Sequence, residues 1–156
     1  MSGPFETPAA SSIIDGVYTV ATLPTPNASN VDKYARVTDL FGEKRDLVLC
    51  SSFGSTYFWQ PVRPFWARTI VVGGNMTVSP LKSPSLLRLT GALAGNRTIT
   101  LDKVGAWPGC EFEMAFDGVL GIYGLTILGL DLGATLGLLL GGRRRVVFDG
   151  SEYQAY

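Results

Sequence analysis

A run of 25 residues, positions 118–142, most restricts the folds open to this chain, because it holds one charged residue, Asp131, and eight glycines. An apolar segment of this length must leave water, so it lies in a core, between subunits or in a membrane. Four glycines have the four-residue spacing of packed membrane helices: Gly129, Gly133, Gly137 and Gly141. The run is therefore either one membrane helix or several short strands.

Several observations favour strands. Asp131 would lie near the centre of a bilayer at a cost of about 3 kcal/mol, and strand-like patterns flank the run on both sides. We expect apolar strands at residues 124–128 and 136–140, joined by glycine turns. A membrane helix followed by the three arginines at 143–145 remains the alternative, and with it the function of a small membrane protein.

Strands that are apolar on both faces are typical of segments buried between layers or between subunits. The run is thus a candidate oligomer interface. Its expected contacts are six side chains: Leu125, Ile127, Leu130, Leu136, Leu138 and Leu140. On this hypothesis, Leu138→Asp dissociates an oligomer, and unchanged sedimentation would contradict it.

The rest of the chain has the short, regularly spaced patterns of an all-β fold. The sequence predicts strands at residues 17–23, 34–38, 46–50, 56–59, 67–72, 75–78, 86–90, 96–101, 110–116, 145–148 and 153–156. A turn at Gly42 predicts a hairpin between the second and third of these. We expect short antiparallel strands in a sandwich- or prism-like module, intertwined in an oligomer.

Three regions are predicted along the chain: an extended N-terminal arm at 1–16, a first β-module at 17–66 and a second at 67–156. The first residues are small, polar and proline-bearing, and have no core of their own. They lack the pattern of a signal or transit peptide, so we expect synthesis in a reducing cytoplasm.

Composition limits the chemistry. The chain has no histidine, so neither a Ser-His or Cys-His nucleophile pair nor a His-ligated zinc site can form. No acidic pair stands in a recognisable motif, and we predict no enzyme, no catalytic residue, no metal site and no cofactor. The net charge is zero, which gives no long-range attraction to nucleic acid. Whether Cys50 and Cys110 pair is left open.

Apolar residues make up 46% of the chain and charged residues 17%. A charged fraction of about 25% is usual in soluble domains, so the excess apolar surface is expected to meet other subunits. Tyr57, Trp59 and Trp66 belong to an aromatic cluster that is either packing or a sugar-stacking surface. The three arginines at 143–145 either bind phosphate or an acidic partner, or form a charged strand edge that prevents promiscuous pairing. The charged edge is the favoured interpretation.

Several short motifs follow one another in a suggestive order. They are Asn96-Arg-Thr-Ile-Thr-Leu101, Trp107-Pro-Gly109, Cys110-Glu-Phe-Glu-Met114, the glycine-rich run, Val146-Val-Phe-Asp-Gly150 and Tyr153. This order resembles the terminal β-modules of tailed-bacteriophage fibre, spike and head-decoration proteins. An earlier stretch, Leu23-Pro-Thr-Pro-Asn27, Tyr34-Ala-Arg-Val-Thr-Asp39 and Tyr57-Phe-Trp59, is similar to another phage-fibre element. The family pattern has tryptophan where this chain has Tyr153.

The resemblance implies a structural virion protein at the particle surface, made in the host cytoplasm. Its partners would be other copies of itself, a trimer being favoured, and other virion proteins, with residues 1–14 as the docking segment. The alternative is a carbohydrate- or receptor-binding module at a fibre tip, using Tyr57, Trp59 and Trp66. The resemblance carries over no catalytic residues.

Overall fold

The computed structural model describes residues 13–42, 44–63, 67–130, 136–137 and 142–156, and no α-helix occurs among them. The described residues form thirteen strands: β1 (Ile13–Tyr18), β2 (Tyr34–Leu40), β3 (Lys44–Phe53), β4 (Thr56–Pro61), β5 (Ala67–Val71), β6 (Met76–Val78), β7 (Leu86–Thr90), β8 (Arg97–Leu101), β9 (Glu111–Phe116), β10 (Leu125–Leu128), β11 (Leu136–Gly137), β12 (Arg143–Phe148) and β13 (Tyr153–Ala155). The all-β prediction is confirmed for these residues.

The first predicted strand, 17–23, is wrong. The chain is extended earlier, in β1, and then makes a 3-10 turn at Val20–Thr22. Two hydrogen bonds explain the turn: the Thr19 amide donates to Oγ1 of Thr22 over 2.8 Å, and the Thr22 amide donates to the Thr19 carbonyl over 3.1 Å. Threonine side chains offer the backbone this local alternative to a sheet ladder.

The chain divides into two compact units, unit 1 (Met1–Arg63) and unit 2 (Pro64–Tyr156). The predicted modules met between residues 66 and 67. The predicted arm at 1–16 lies outside the described residues as far as residue 12, and its last four residues belong to β1.

Unit 1 is one four-stranded sheet with the order β1-β2-β3-β4. Strands β2, β3 and β4 are antiparallel, whereas β1 pairs with β2 in parallel. The β2–β3 turn passes through Phe41 and Gly42, whose φ angles are 55° and 86°. Glycine adopts such a φ without steric cost, and the hairpin predicted at Gly42 is confirmed.

In unit 2 the chain alternates between two sheets. Strands β5, β7 and β9 are parallel neighbours in a sheet ordered β13-β12-β9-β7-β5. Strands β6, β8 and β10 are parallel neighbours in a sheet ordered β11-β10-β8-β6. Three coils, each of which contributes one strand to each sheet, are thus stacked like a solenoid. The expected antiparallel sandwich or prism is wrong for these strands.

Alternation within the strands builds the core of unit 2. In β9, Phe112, Met114 and Phe116 are buried and the residues between them are half-buried, as predicted. The same alternation buries Leu87 and Leu89 in β7. Because neighbouring strands pair in register, these side chains form continuous rows across the coils, which is how a parallel stack buries its apolar surface.

Close stacking at one corner of the coils requires glycine. A Cβ atom on Gly118 would lie 2.1 Å from the Gly91 carbonyl oxygen and 2.7 Å from the Phe116 ring. No side chain fits at that distance from backbone, so the chain needs glycine there to pass over the coil below.

The last two strands extend the five-stranded sheet in antiparallel fashion, β12 pairing with β9 and β13 with β12. Arg145 pairs with β9 and also exchanges backbone hydrogen bonds with Tyr156, so it does not lie at a strand edge. Arg143 and Arg144 pair, within the described part of the chain, with β9 alone, and the charged edge stays a prediction for these two. Among the residues described, no helix is long and apolar enough to cross a membrane.

Candidate assembly and binding surfaces

The predicted interface residues fall into three groups. Leu125, Ile127 and Leu130 are buried in the core of unit 2, so their side chains contact their own chain and are not presented at its surface. The backbone of Leu136 pairs with that of Ile127 in the β10–β11 ladder. Leu138 and Leu140 lie outside the described residues.

The predicted aromatic surface is not exposed at its central residue. Trp59 is 5% exposed, and its indole Nε1 donates to the Pro24 carbonyl oxygen over 2.8 Å. Tyr57 is half-buried, and Trp66 lies outside the described residues. Trp59 thus fastens the loop before β2 to the sheet of unit 1, which agrees with packing, and not with sugar stacking, for this residue.

Two of the arginines in β12 pair with glutamates of β9. Nη1 of Arg143 lies 3.3 Å from Oε1 of Glu113, and the Arg145 guanidinium bonds to the Glu111 carboxylate. The hydrogen bond and charge of Glu111 raise the pKa of Arg145. The sequence pattern could not show this pairing because the glutamates lie thirty residues away, on a different strand.

Both cysteines are free, buried thiols, one in each unit. Burial raises the pKa of Cys110 to about 12, although hydrogen bonds involving Tyr153 and Trp107 act the other way. Burial also raises the pKa of Cys50. Both groups stay neutral near pH 7 and behave as small apolar core residues.

An exposed apolar strip, which the sequence analysis missed, lies where the coils of unit 2 turn. We call it the apolar corner, defined by Val71, Ala92, Val119 and Ile122. Ala92 and Val119 form a parallel bridge, and the Val119 amide donates to the Gly91 carbonyl over 2.8 Å. Val71 lies over Gly91, since a Cβ on Gly91 would be 3.0 Å from Cγ1 of Val71.

The exposure of the corner is high for apolar side chains. Val71 is 73% exposed, Val119 62% and Ile122 93%. An internal repeat could have located this corner: Gly91-Ala-Leu93 recurs as Gly118-Val-Leu120, 27 positions later, before the similar strands β8 and β10. Repeats of this period are the sequence signature of stacked coils.

A groove of about 570 Å³ lies on the five-stranded sheet, and it was also missed. Its lining includes three small residues, Ala67, Thr69 and Ala115, and longer charged side chains surround them. The charged lining residues are Arg68, Arg88, Glu113, Asp117 and Arg143. No group of three or more potential metal-ligating side chains occurs in the part of the chain that the structure describes.

Comparisons of this chain with known proteins find a distant structural similarity. No family model matches the chain, and no curated protein matches it. A solved structure described as "Structure of a chaperone-substrate complex" is similar over 78% of this chain, with 11% identity and a TM-score of 0.46. This chain covers 24% of that one. A similarity this distant carries no argument about function.

Proposed function

We propose that this chain is a structural protein that acts by self-assembly rather than by catalysis, as a surface component of a phage-like virion. The apolar corner is the observation that carries the proposal. Monomeric proteins rarely expose contiguous apolar strips, and larger ones mark interaction sites. Here the strip continues from coil to coil, so it offers an extended line of contact.

The expected occupant of the corner is the same corner of another copy. Its four defining residues are all uncharged, so two or three copies can meet there without like-charge repulsion. Identical patches pair face to face in a twofold dimer, and the same patch of three copies can also meet along a threefold axis. Trimers wound around a common axis are what the resemblance to phage fibre, spike and decoration modules implies, and the corner runs across the stacked coils as such an axis requires.

Oligomeric state tests the proposal directly. Native mass spectrometry of the wild-type chain is expected to show an oligomer, with the trimer as the main species. Val119→Asp combined with Ile122→Asp should give a monomer, because each copy then carries two negative charges in its contact surface. Val104→Asp is the matched control: Val104 is 81% exposed but lies in the loop after β8, away from the corner. A wild-type monomer at micromolar concentration would contradict self-assembly.

The virion part of the proposal needs a separate measurement. Particles purified from the host that carries the gene should contain this chain in fixed stoichiometry with the major coat protein. Deleting residues 1–14 should abolish attachment to the particle while leaving self-assembly intact. Attachment that survives the deletion would move the docking site elsewhere, and absence of the chain from purified particles would remove the virion assignment.

The alternative function at a fibre tip was based on Tyr57, Trp59 and Trp66. The burial of Trp59 removes the support that this residue gave it, while Tyr57 is half-buried and Trp66 lies outside the described residues.

A further inference from the structure

The floor of the groove on the five-stranded sheet is a row of residues that are paired across four neighbouring strands. Thr69, Arg88, Ala115 and Arg143 are successive partners across β5, β7, β9 and β12. The two arginines in this row are separated by one strand, so their backbones lie about 10 Å apart. Between them Ala115 leaves a gap that a larger side chain would fill.

Each of these arginines forms an ion pair with a carboxylate. Nε of Arg88 donates to Oδ2 of Asp117 over 2.6 Å, and Nη1 of Arg143 donates to Oε1 of Glu113 over 3.3 Å. A guanidinium carries five N–H donors, and each ion pair engages one of its nitrogens. Donors therefore remain on both arginines for a further acceptor.

The charge of the lining favours an anionic ligand of low charge density. Three arginines, Arg68, Arg88 and Arg143, face two carboxylates, Glu113 and Asp117, which leaves one excess positive charge. Arg68 has no ion pair among the described residues. The two carboxylates would repel a chain with a phosphate at every unit, and the protein has no net charge to attract one.

From this geometry we propose that the groove binds an oligosaccharide that carries carboxylate groups. Carboxylates of the sugar accept hydrogen bonds from the free N–H groups of both Arg88 and Arg143, and such pairings are commonly bidentate. Sugar hydroxyls donate to Glu113 and Asp117, while the low floor admits a ring. The volume is within the range of about 300–1,000 Å³ that is usual for ligand sites. The residues that line this site are different from those of the apolar corner.

A glycan array with sialylated and uronate-containing oligosaccharides beside their neutral counterparts tests the proposal. The wild-type chain should bind carboxylated members and not the neutral ones. Arg88→Gln and Arg143→Gln should each weaken binding by roughly tenfold to a hundredfold, the loss expected for one charge-assisted contact. Arg145→Gln is the matched control, because Arg145 lies on the same strand and is also paired, but with Glu111, and it does not line the groove.

Four results would overturn the proposal. They are no binding to the array, equal binding to carboxylated and neutral glycans, wild-type affinity in Arg88→Gln and Arg143→Gln, and stronger binding to single-stranded DNA than to glycans. Circular dichroism of each variant shows that its fold is kept. Oligomeric state is read separately, so a monomer that binds carboxylated glycans contradicts self-assembly alone, and an oligomer that binds none contradicts this site alone.

Discussion

Strands that are neighbours in unit 1 are mostly consecutive in the chain, whereas neighbours in unit 2 mostly belong to successive coils. The turn at Gly42 joins β2 directly to β3, and the turn at Gly54 joins β3 to β4. In unit 2, β7 pairs with β5 and β9 and never with β6 or β8, which flank it in sequence. Unit 1 is thus specified mainly by local turns, and unit 2 by how its coils stack.

This difference shows where each unit should be vulnerable. A hairpin depends on its turns and on the side chains that cover its sheet. A stack of coils depends on each corner being thin enough for the next coil to lie on it. The predictions that follow compare the two units, beginning with the largest effect.

The corner glycine of unit 2 should be the most sensitive position. Gly118→Ala places a Cβ 2.1 Å from the Gly91 carbonyl oxygen, which is backbone and cannot rotate away. We expect unit 2 to lose about 3 kcal/mol or more, at the upper end of overpacking costs. Hydrogen exchange should rise in β7–β10 and stay unchanged in β2–β4.

Gly74→Ala is the matched control for that substitution, because nothing lies within 4 Å of a Cβ at Gly74 and its φ is not positive. It should leave the stability of unit 2 unchanged or slightly raised. Equal effects of the two substitutions would show that coil stacking does not depend on the corner.

In unit 1 the most informative change is Trp59→Phe. It removes the indole N–H that donates to the Pro24 carbonyl and leaves a small gap beneath the loop. The expected loss is about 2 kcal/mol in the free energy of unfolding, measured by exchange of the β2–β4 amides. Tyr57→Phe, on the same strand, should change it by less than about 0.5 kcal/mol. A loss that spread to unit 2 would contradict the separation of the two units.

The two thiols should distinguish the units at high pH. The pKa of Cys110 is raised to about 12, so the stability contributed by its neutral form is fully present below the pKa of an unfolded thiol, about 8.5. That stability is lost as the pH rises from there towards 12, at up to about 1.4 kcal/mol per pH unit. Wild-type and Cys110→Ala chains should therefore differ in slope above pH 8.5, with urea unfolding as the measurement.

Cys50→Ala is the counterpart in unit 1. Burial raises the pKa of Cys50 as well, against an opposing hydrogen bond at the Asn27 backbone, and the rise is smaller than that of Cys110, so its removal should change the slope less. If Cys50→Ala changed the slope of stability against pH more than Cys110→Ala does, the expected order of the two thiols would be wrong.

Most strands could be predicted from the sequence, but their partners in unit 2 could not. Alternation at residues 110–116 shows which side chains of β9 face the core, and it is the same for parallel and antiparallel pairing. In unit 1, Gly42 also identifies the partner, because a tight turn leaves one choice. In unit 2 that information lay in the repeat of Gly91-Ala-Leu93 at Gly118-Val-Leu120, which hydrophobic alternation does not reveal.

The candidate surfaces were harder to predict than the strands for a related reason. Trp59 and Leu125 have the side chains of a binding surface and of an interface, yet a loop and a core cover them. Composition shows that apolar surface is in excess but not which residues remain outside. Ile122 is exposed because the turn at Leu120–Tyr123 projects it, and the arginines of the groove come together through pairings between distant strands.

Removing a surface ion pair should change the free energy of unfolding least, and by a similar amount in the two units. The differences between the units should therefore come from backbone and core. Arg63 pairs with Asp46 in unit 1 over 3.1 Å, and Arg88 with Asp117 in unit 2 over 2.6 Å. Both arginines are largely exposed, so Arg63→Gln and Arg88→Gln should each cost less than about 1 kcal/mol and lose even that in high salt. Urea unfolding at low and high ionic strength measures this. A salt-resistant loss above that value in one unit alone would mean that charges, as well as turns and coil stacking, set the two units apart.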